Sequence, residues 1–208
     1  MDNQPIHYAV LRDHRDWEES VAHAGLETQT DGALTLAHLP GRADGKPIVI
    51  PYSTPVELSG LAAGECKELY LADTAQNRII GLDSLCNVRT IVPGAGGMSS
   101  ASSQFNQPRG LLIANDNLYV ADSGNRRIQV LRLPSLELRA VWEGFFQEPV
   151  ALASDSKGHI YVLDTGLNAI LRFSPAGVPD AVYNAELAQI LNGLTLVSLA
   201  IDGKDNLY

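Results

Sequence analysis

An aspartate recurs three residues after a tyrosine at Asp73, Asp122 and Asp164. Carboxylates perform general acid–base work when they converge on one reacting centre. One acid per repeat is instead the pattern of a group that each repeat needs for itself. A carboxylate at a strand end accepts N–H bonds from the turn that follows and holds an arginine by charge-assisted hydrogen bonds. Arginine stands five residues later in two copies, Arg78 and Arg127, and Ala169 takes its place in the third. Asp73, Asp122 and Asp164, with Arg78, Arg127 and Asn125, are therefore expected to build turns, and no residue is assigned a catalytic role.

Other chemistry finds less support. Of five histidines, His7, His14, His23 and His38 precede the repeats and His159 alone lies within them. His14 and His23, nine residues apart, do not share one helix face. Cys66 and Cys86 have no metal-motif spacing; they read either as two reduced thiols or as one disulfide within the first repeat. Pro93-Gly94-Ala95-Gly96-Gly97 has the glycines of a phosphate loop but neither the lysine nor the strand–loop–helix context, so it reads as a surface loop running on through Ser99–Ser103. No Ser/His/Asp or Cys/His set can be assembled, and neither metal nor cofactor is expected. The net charge is −9, with 4 basic and 9 acidic residues before position 61. That balance opposes displacement of phosphate counterions, so nucleic acid is not expected as a partner. The one arginine cluster, Arg109, Arg126, Arg127 and Arg132, would be scattered by strand geometry. Trp142-Glu143-Gly144-Phe145-Phe146 is the densest aromatic group. Trp142, Phe145 and Phe146 read either as core between repeats or as a partner contact.

The elements that carry these residues repeat. Leu69-Tyr70-Leu71-Ala72-Asp73, Leu118-Tyr119-Val120-Ala121-Asp122 and Ile160-Tyr161-Val162-Leu163-Asp164 align, and Leu207-Tyr208 opens a fourth copy. The tyrosines are 49, 42 and 47 residues apart, the length of one four-stranded propeller blade. Ala75, Gly124 and Gly166 follow each aspartate by two residues, and Ile79, Ile128 and Ile170 by six. The tyrosine runs are continuously apolar rather than alternating, as expected of a strand covered on both faces. Asn115–Asn117, Asp155–Gly158 and Asp202–Asp205 supply turn chemistry before each tyrosine strand. Gly124 and Gly166 are expected to give backbone freedom after it.

Phe105-Asn106-Gln107-Pro108-Arg109-Gly110, with Leu118 through Val130, resembles the NHL repeat nearly letter for letter; the copies around Tyr70 and Tyr161 are looser, with Gln76 and Leu167 where Asn125 stands. The resemblance covers residues 56–208. It implies an all-β fold, a β-propeller of four-stranded blades, about four begun here and six in the full protein. The chain would then continue downstream, and the isolated fragment would carry an aggregation-prone sheet edge. NHL-like propellers include metal-dependent lyases, and more distantly lactonases, with ligands in the central channel, as well as RNA-binding modules. These are the alternatives to a docking scaffold.

Residues 1–55 lack the repeat and are expected to form an N-terminal docking segment, α+β or strand-rich, or else to supply an outer strand to the propeller. Ile6–Leu11 reads as a strand and Asp13–Ala24 as a short helix stopped by Gly25. Leu26–Thr30 and Ala33–Ala37 flank Asp31-Gly32, a hairpin dipeptide; Pro40–Gly45 reads as a loop and Ile48–Ile50 as a strand. Trp17, Leu26-Glu27, Asp31–Leu36 and Leu39-Pro40-Gly41, followed by the propeller, resemble NHL-bearing phage tail-like proteins of bacterial contractile injection systems. That resemblance implies a structural, non-enzymatic, baseplate-associated protein whose partners are other protein subunits. The polar start has no secretory pattern, and Ile190–Ile201 is too short to span a bilayer. The expected location is therefore cytoplasmic, within or beside such a particle, without membrane insertion.

Overall fold

The computed structural model of the chain describes residues 57–64, 68–83, 88–92 and 104–208, and the backbone of 26–28, 34–36 and 48–50. Three short strands come first: β1 (Leu26–Thr28), β2 (Leu34–Leu36) and β3 (Ile48–Ile50) form an antiparallel sheet in that order. Leu26 pairs with Leu36 and Leu36 with Ile48, so the hairpin and the third strand expected here are both present. Cys66, Cys86, the glycine-rich loop at Pro93 and the helix expected over Asp13–Ala24 lie outside the described residues.

Three blades follow. The first is β4 (Leu58–Ala63), β5 (Leu69–Asp73), β6 (Arg78–Leu82) and β7 (Val88–Val92); the second is β8 (Pro108–Ala114), β9 (Asn117–Asp122), β10 (Arg127–Arg132) and β11 (Glu137–Trp142). Both are antiparallel sheets with strands in chain order. The third contains β12 (Pro149–Ser154), β13 (Ile160–Asp164) and β14 (Ala169–Phe173). This sheet departs from the expected four strands: helix α1 (Ala181–Ile190) follows β14. Asp180 caps α1 by accepting the Tyr183 N–H at 3.1 Å, the standard way to satisfy an orphan helix donor. The Asn184 side chain then stands in for a neighbouring strand: it accepts the Arg172 N–H at 2.6 Å and donates to the Arg172 carbonyl at 3.3 Å. The fourth copy is a narrow hairpin in which Ala200 and Tyr208 exchange backbone bonds.

The tyrosines are equivalent. Tyr70, Tyr119 and Tyr161 pair with Gly81, Val130 and Arg172, each eight residues past its aspartate. Every residue of β5, β9 and β13 is buried, and the strand period of two assigns successive residues to different neighbours. Leu118 and Val120 pack with Tyr70 and Ala72 of the first blade. Tyr119 and Ala121 pack with Ile160 and Val162 of the third. Tyr161 and Leu163 pack against Leu187 of α1 and Leu199 of the fourth copy. The run looks uniformly apolar because consecutive residues serve two separate cores.

The first strands of successive blades meet backbone to backbone. A Cβ on Gly60 would lie 1.9 Å from the Arg109 carbonyl oxygen, and one on Gly110 would lie 2.7 Å from that of Val150. Gly60→Ala must therefore push two inner strands apart, at a cost of about 1–3 kcal/mol as for an overpacked core. Gly203→Ala, in open space, serves as the control. Chemical denaturation should show a lowered midpoint for the first variant and no comparable loss for the second.

Candidate functional site between the second and third blades

The repeated carboxylates lie fully buried, one at the end of each middle strand. Asp122 accepts four hydrogen bonds: from the Asn106 N–H at 2.7 Å, Asn125 Nδ2 at 2.9 Å, Arg127 Nε at 2.7 Å and Gln129 Nε2 at 2.9 Å. Arg127 and Gln129 also donate to the Gln104 carbonyl, so one acid ties β9, β10 and the segment entering β8. Asp73 takes Arg78 Nε at 2.8 Å and the Gln76 N–H at 3.2 Å. Asp164, facing Ala169 instead of an arginine, takes three backbone donors, from Gln147, Glu148 and Leu167, at 2.7–2.9 Å. Where Asn125 has no counterpart, the N–H of the residue in its place, Gln76 or Leu167, supplies the bond.

The expected role of Gly124 and Gly166 needs correction. Neither has positive φ; the left-handed residues are Asn77 (φ 53), Arg126 (φ 55) and Asn168 (φ 49), four after each aspartate. The two glycines are small because Asn106 and Gln147 press on them: a Cβ would lie 2.5 Å and 2.7 Å away. Two positions visible in the repeat were missed. The hydroxyl residue after the aspartate reaches the next blade: Thr74 Oγ1 donates to the Pro108 carbonyl at 2.7 Å and Ser123 Oγ to that of Pro149 at 2.5 Å. The left-handed asparagines do likewise, Asn77 accepting the Gln107 N–H and Asn168 the Leu196 N–H. Their recurrence at fixed distances from the aspartate was the available signal.

His159 belongs to a turn. The Asp155 carboxylate accepts the His159 and Lys157 N–H groups, meets the His159 ring Nδ1 at 2.8 Å and accepts the Tyr161 hydroxyl at 3.3 Å. Asp202 does the same in the fourth copy with Lys204, Asn206 and Tyr208, so His159 occupies an asparagine's place. Burial acts to raise the Asp155 carboxyl, but the bonds from His159 and Lys157 hold it below the usual range. Burial also pushes the Tyr161 phenol up to about 12. Among the described residues no group of three or more His, Cys, Asp or Glu side chains could hold a metal ion.

The aromatic cluster fills the seam between blades two and three. Trp142 and Phe146 are buried, 6% and 7% exposed, and pack on Phe173 at centroid distances of 5.4 and 5.5 Å. Trp142 and Phe146 thus belong to the core between blades, and Trp142 also lines the smaller hollow described below. Phe145 differs. Its ring lies 5.6 Å from Phe173 and 6.1 Å from Phe146, yet it is 43% exposed. The arginine cluster is dispersed: Arg127 is buried on Asp122, Arg109 pairs with Glu148 at 3.3 Å, and Arg126 and Arg132 stand at opposite ends of β10.

Beside this seam lie two neighbouring hollows, about 380 and 290 Å³, which share Asn115 and Arg139. The smaller is walled by Tyr119, Val130, Trp142 and the Pro175-Ala176 turn; Arg132, Asp116 and Glu137 edge the larger. Arg139 Nη1 donates to Asn117 Oδ1 at 3.0 Å, and the Asn117 amide donates to the Asn115 carbonyl at 2.5 Å. Burial raises the Tyr119 phenol, while Asn115, Arg139 and Asn117 pull it partly back.

Residues 105–131 match the NHL repeat. No curated protein matches the chain in sequence. Among solved structures, virginiamycin B lyase from Staphylococcus aureus is similar at TM-score 0.61 and 15% identity, over 88% of this chain and 60% of that one. A streptogramin B lyase is similar at TM-score 0.61 and 13% identity, over 88% and 59%. A chain of a nidogen–laminin complex is similar at TM-score 0.60 and 22% identity, over 85% and 62%. The chain thus spans about three-fifths of the length of the lyases, and at these identities the likeness is one of fold. The expectation that the chain is not an enzyme is corrected by the same finding, since the structures sharing its blade arrangement include lyases. No helix among the described residues is long and apolar enough to cross a membrane. The architecture is that of NHL-type β-propeller blades.

Two outcomes are expected. Asp122→Ala strands Arg127 as a buried, uncompensated charge and should cost about 3–5 kcal/mol in urea unfolding; replacing Arg127 by methionine as well should recover part of that loss. The difference in alkaline ultraviolet titration between the wild type and Tyr161→Phe should place the Tyr161 phenolate near pH 12. A phenol raised in the folded state contributes stability that is full below its ordinary value of about 10 and lost as pH rises through the folded value.

Proposed function

We propose that this chain is a docking propeller, whose blades hold loop residues rigidly enough to engage other protein subunits. The observation that carries the reading is Phe145. Its ring is fixed by Phe146 and Phe173 and open on its other side. An aromatic already ordered before contact gives up little rotamer entropy on binding, and such rings anchor interfaces. Leu167, 38% exposed, lies in the turn whose Gly166 presses on Gln147, two residues from Phe145. The fold likeness to a chain of a nidogen–laminin complex supports the same reading at the level of architecture.

In this proposal the partners are subunits of a phage tail-like contractile injection particle near its baseplate, and residues 1–55 form the docking segment. The support for that setting is the resemblance carried by Trp17, Leu26-Glu27, Asp31–Leu36 and Leu39–Gly41. The test is affinity purification from cells that assemble such a particle. Sheath, tube or baseplate proteins should co-purify with the wild type and fall by roughly tenfold with Phe145→Ala. That variant should lose only about 0.5–1.5 kcal/mol of stability, the worth of its ring contacts, whereas Phe146→Ala should lose about 3–5 kcal/mol. Partners that persist with Phe145→Ala remove Phe145 as the anchor, and absence of particle proteins from the wild-type sample removes the setting.

A further inference from the structure

We propose that the smaller hollow between the second and third blades is a receptor for a single carboxylate side chain presented by a partner peptide. The inference rests on the docking reading and names the chemistry of one contact within it. Its centre is Arg139. Arg78, Arg109, Arg127 and Arg172 each sit within an ion pair with an aspartate or glutamate. Arg139 is oriented instead by a neutral acceptor, Asn117 Oδ1, and among the described residues it is in no ion pair. Asn117 is 3% exposed and is itself fixed by its bond to the Asn115 carbonyl. Arg139 is exposed to solvent, and its guanidinium is held through one Nη by a buried amide. That is a preorganised fork for a carboxylate.

The walls narrow the ligand further. Trp142, Val130 and Ala176 supply apolar lining, while Asn115 and Arg139 supply polar lining. A planar monoanion on an aliphatic stem, as in glutamate, matches an apolar wall with one cation at its end. Asp116 and Glu137 edge the adjoining hollow. Their charges repel a polyacidic stretch, so the occupant is one acid among neutral or apolar residues. Its neighbours in the partner would then lie across the seam toward Pro175.

Trp142 lines the hollow and is one of only two tryptophans, so intrinsic fluorescence reports occupancy directly. The full chain is titrated with three short peptides: one carrying a single glutamate between alanine and leucine residues, the same peptide with glutamine, and an all-glutamate peptide. Saturable fluorescence change with the first is expected, weakened by roughly tenfold or more with glutamine or by Arg139→Ala. Arg139→Lys should retain part of the affinity, and added salt should weaken binding by screening. Val182→Ala, exposed on α1, should leave this binding unchanged, and a failed peptide titration beside intact Phe145-dependent co-purification separates the site from the broader docking reading. Equal binding of the glutamate and glutamine peptides overturns the proposal. Stronger binding of the all-glutamate peptide, or displacement by inorganic phosphate at lower concentration than the peptide, overturns it too.

Discussion

The middle strand of each blade buries all of its side chains, and it does so by sending alternate residues to opposite sides. Leu118 and Val120 belong to the core shared with the first blade, Tyr119 and Ala121 to the core shared with the third. Neither sheet can expose a face without uncovering leucine, isoleucine or tyrosine, and burying each such side chain contributes about 1.5–3 kcal/mol. A blade is therefore stable only between neighbours. The close approach of inner strands at Gly60 and Gly110 follows from this, since sheets that share two cores must converge where they run nearest one another. So does the replacement of an outer strand by α1 in the third blade. Its Asn184 satisfies the Arg172 edge groups while Leu187 covers the face that Tyr161 and Leu163 present.

Polar groups then tie together what apolar packing brings near. Each buried aspartate draws on whatever donors its blade offers: an arginine, two side-chain amides and a backbone N–H at Asp122, an arginine and a backbone N–H at Asp73, three backbone N–H groups at Asp164. The carboxylate is constant while its partners vary, because a buried anion must be compensated but the source of the donors is free. A second set of bonds, from Thr74, Ser123, Asn77 and Asn168, runs between blades rather than within them.

Where the rigid frame leaves groups unspent, it offers function. The seam between the second and third blades buries Phe146 and most of Trp142, leaves one side of Phe145 open, and holds Arg139 on a neutral amide at its edge. The same architecture carries lyases and a chain of a nidogen–laminin complex among solved structures. The blades thus impose a scaffold, and what the scaffold does depends on a few side chains at its margins.

The tyrosine spacing, the unbroken apolar runs and the aspartate that follows them were enough to read propeller blades from the chain alone, as was the β1–β2 hairpin. Each is a requirement that every repeat meets separately, and so it recurs along the sequence. Helix α1 breaks the repeat and was not foreseen, although Asp180 and the alanines after it carry its start signal. Gly124 and Gly166 were read as flexible and are in fact pressed upon, because a glycine's letter does not say whether φ or a neighbour demands it. The division of aromatic residues into buried and exposed, the hold of Asn117 on Arg139 and the hollow beside Trp142 exist only once two blades meet. They depend on which side of a strand faces which neighbour, and that is settled by packing between sheets distant in sequence.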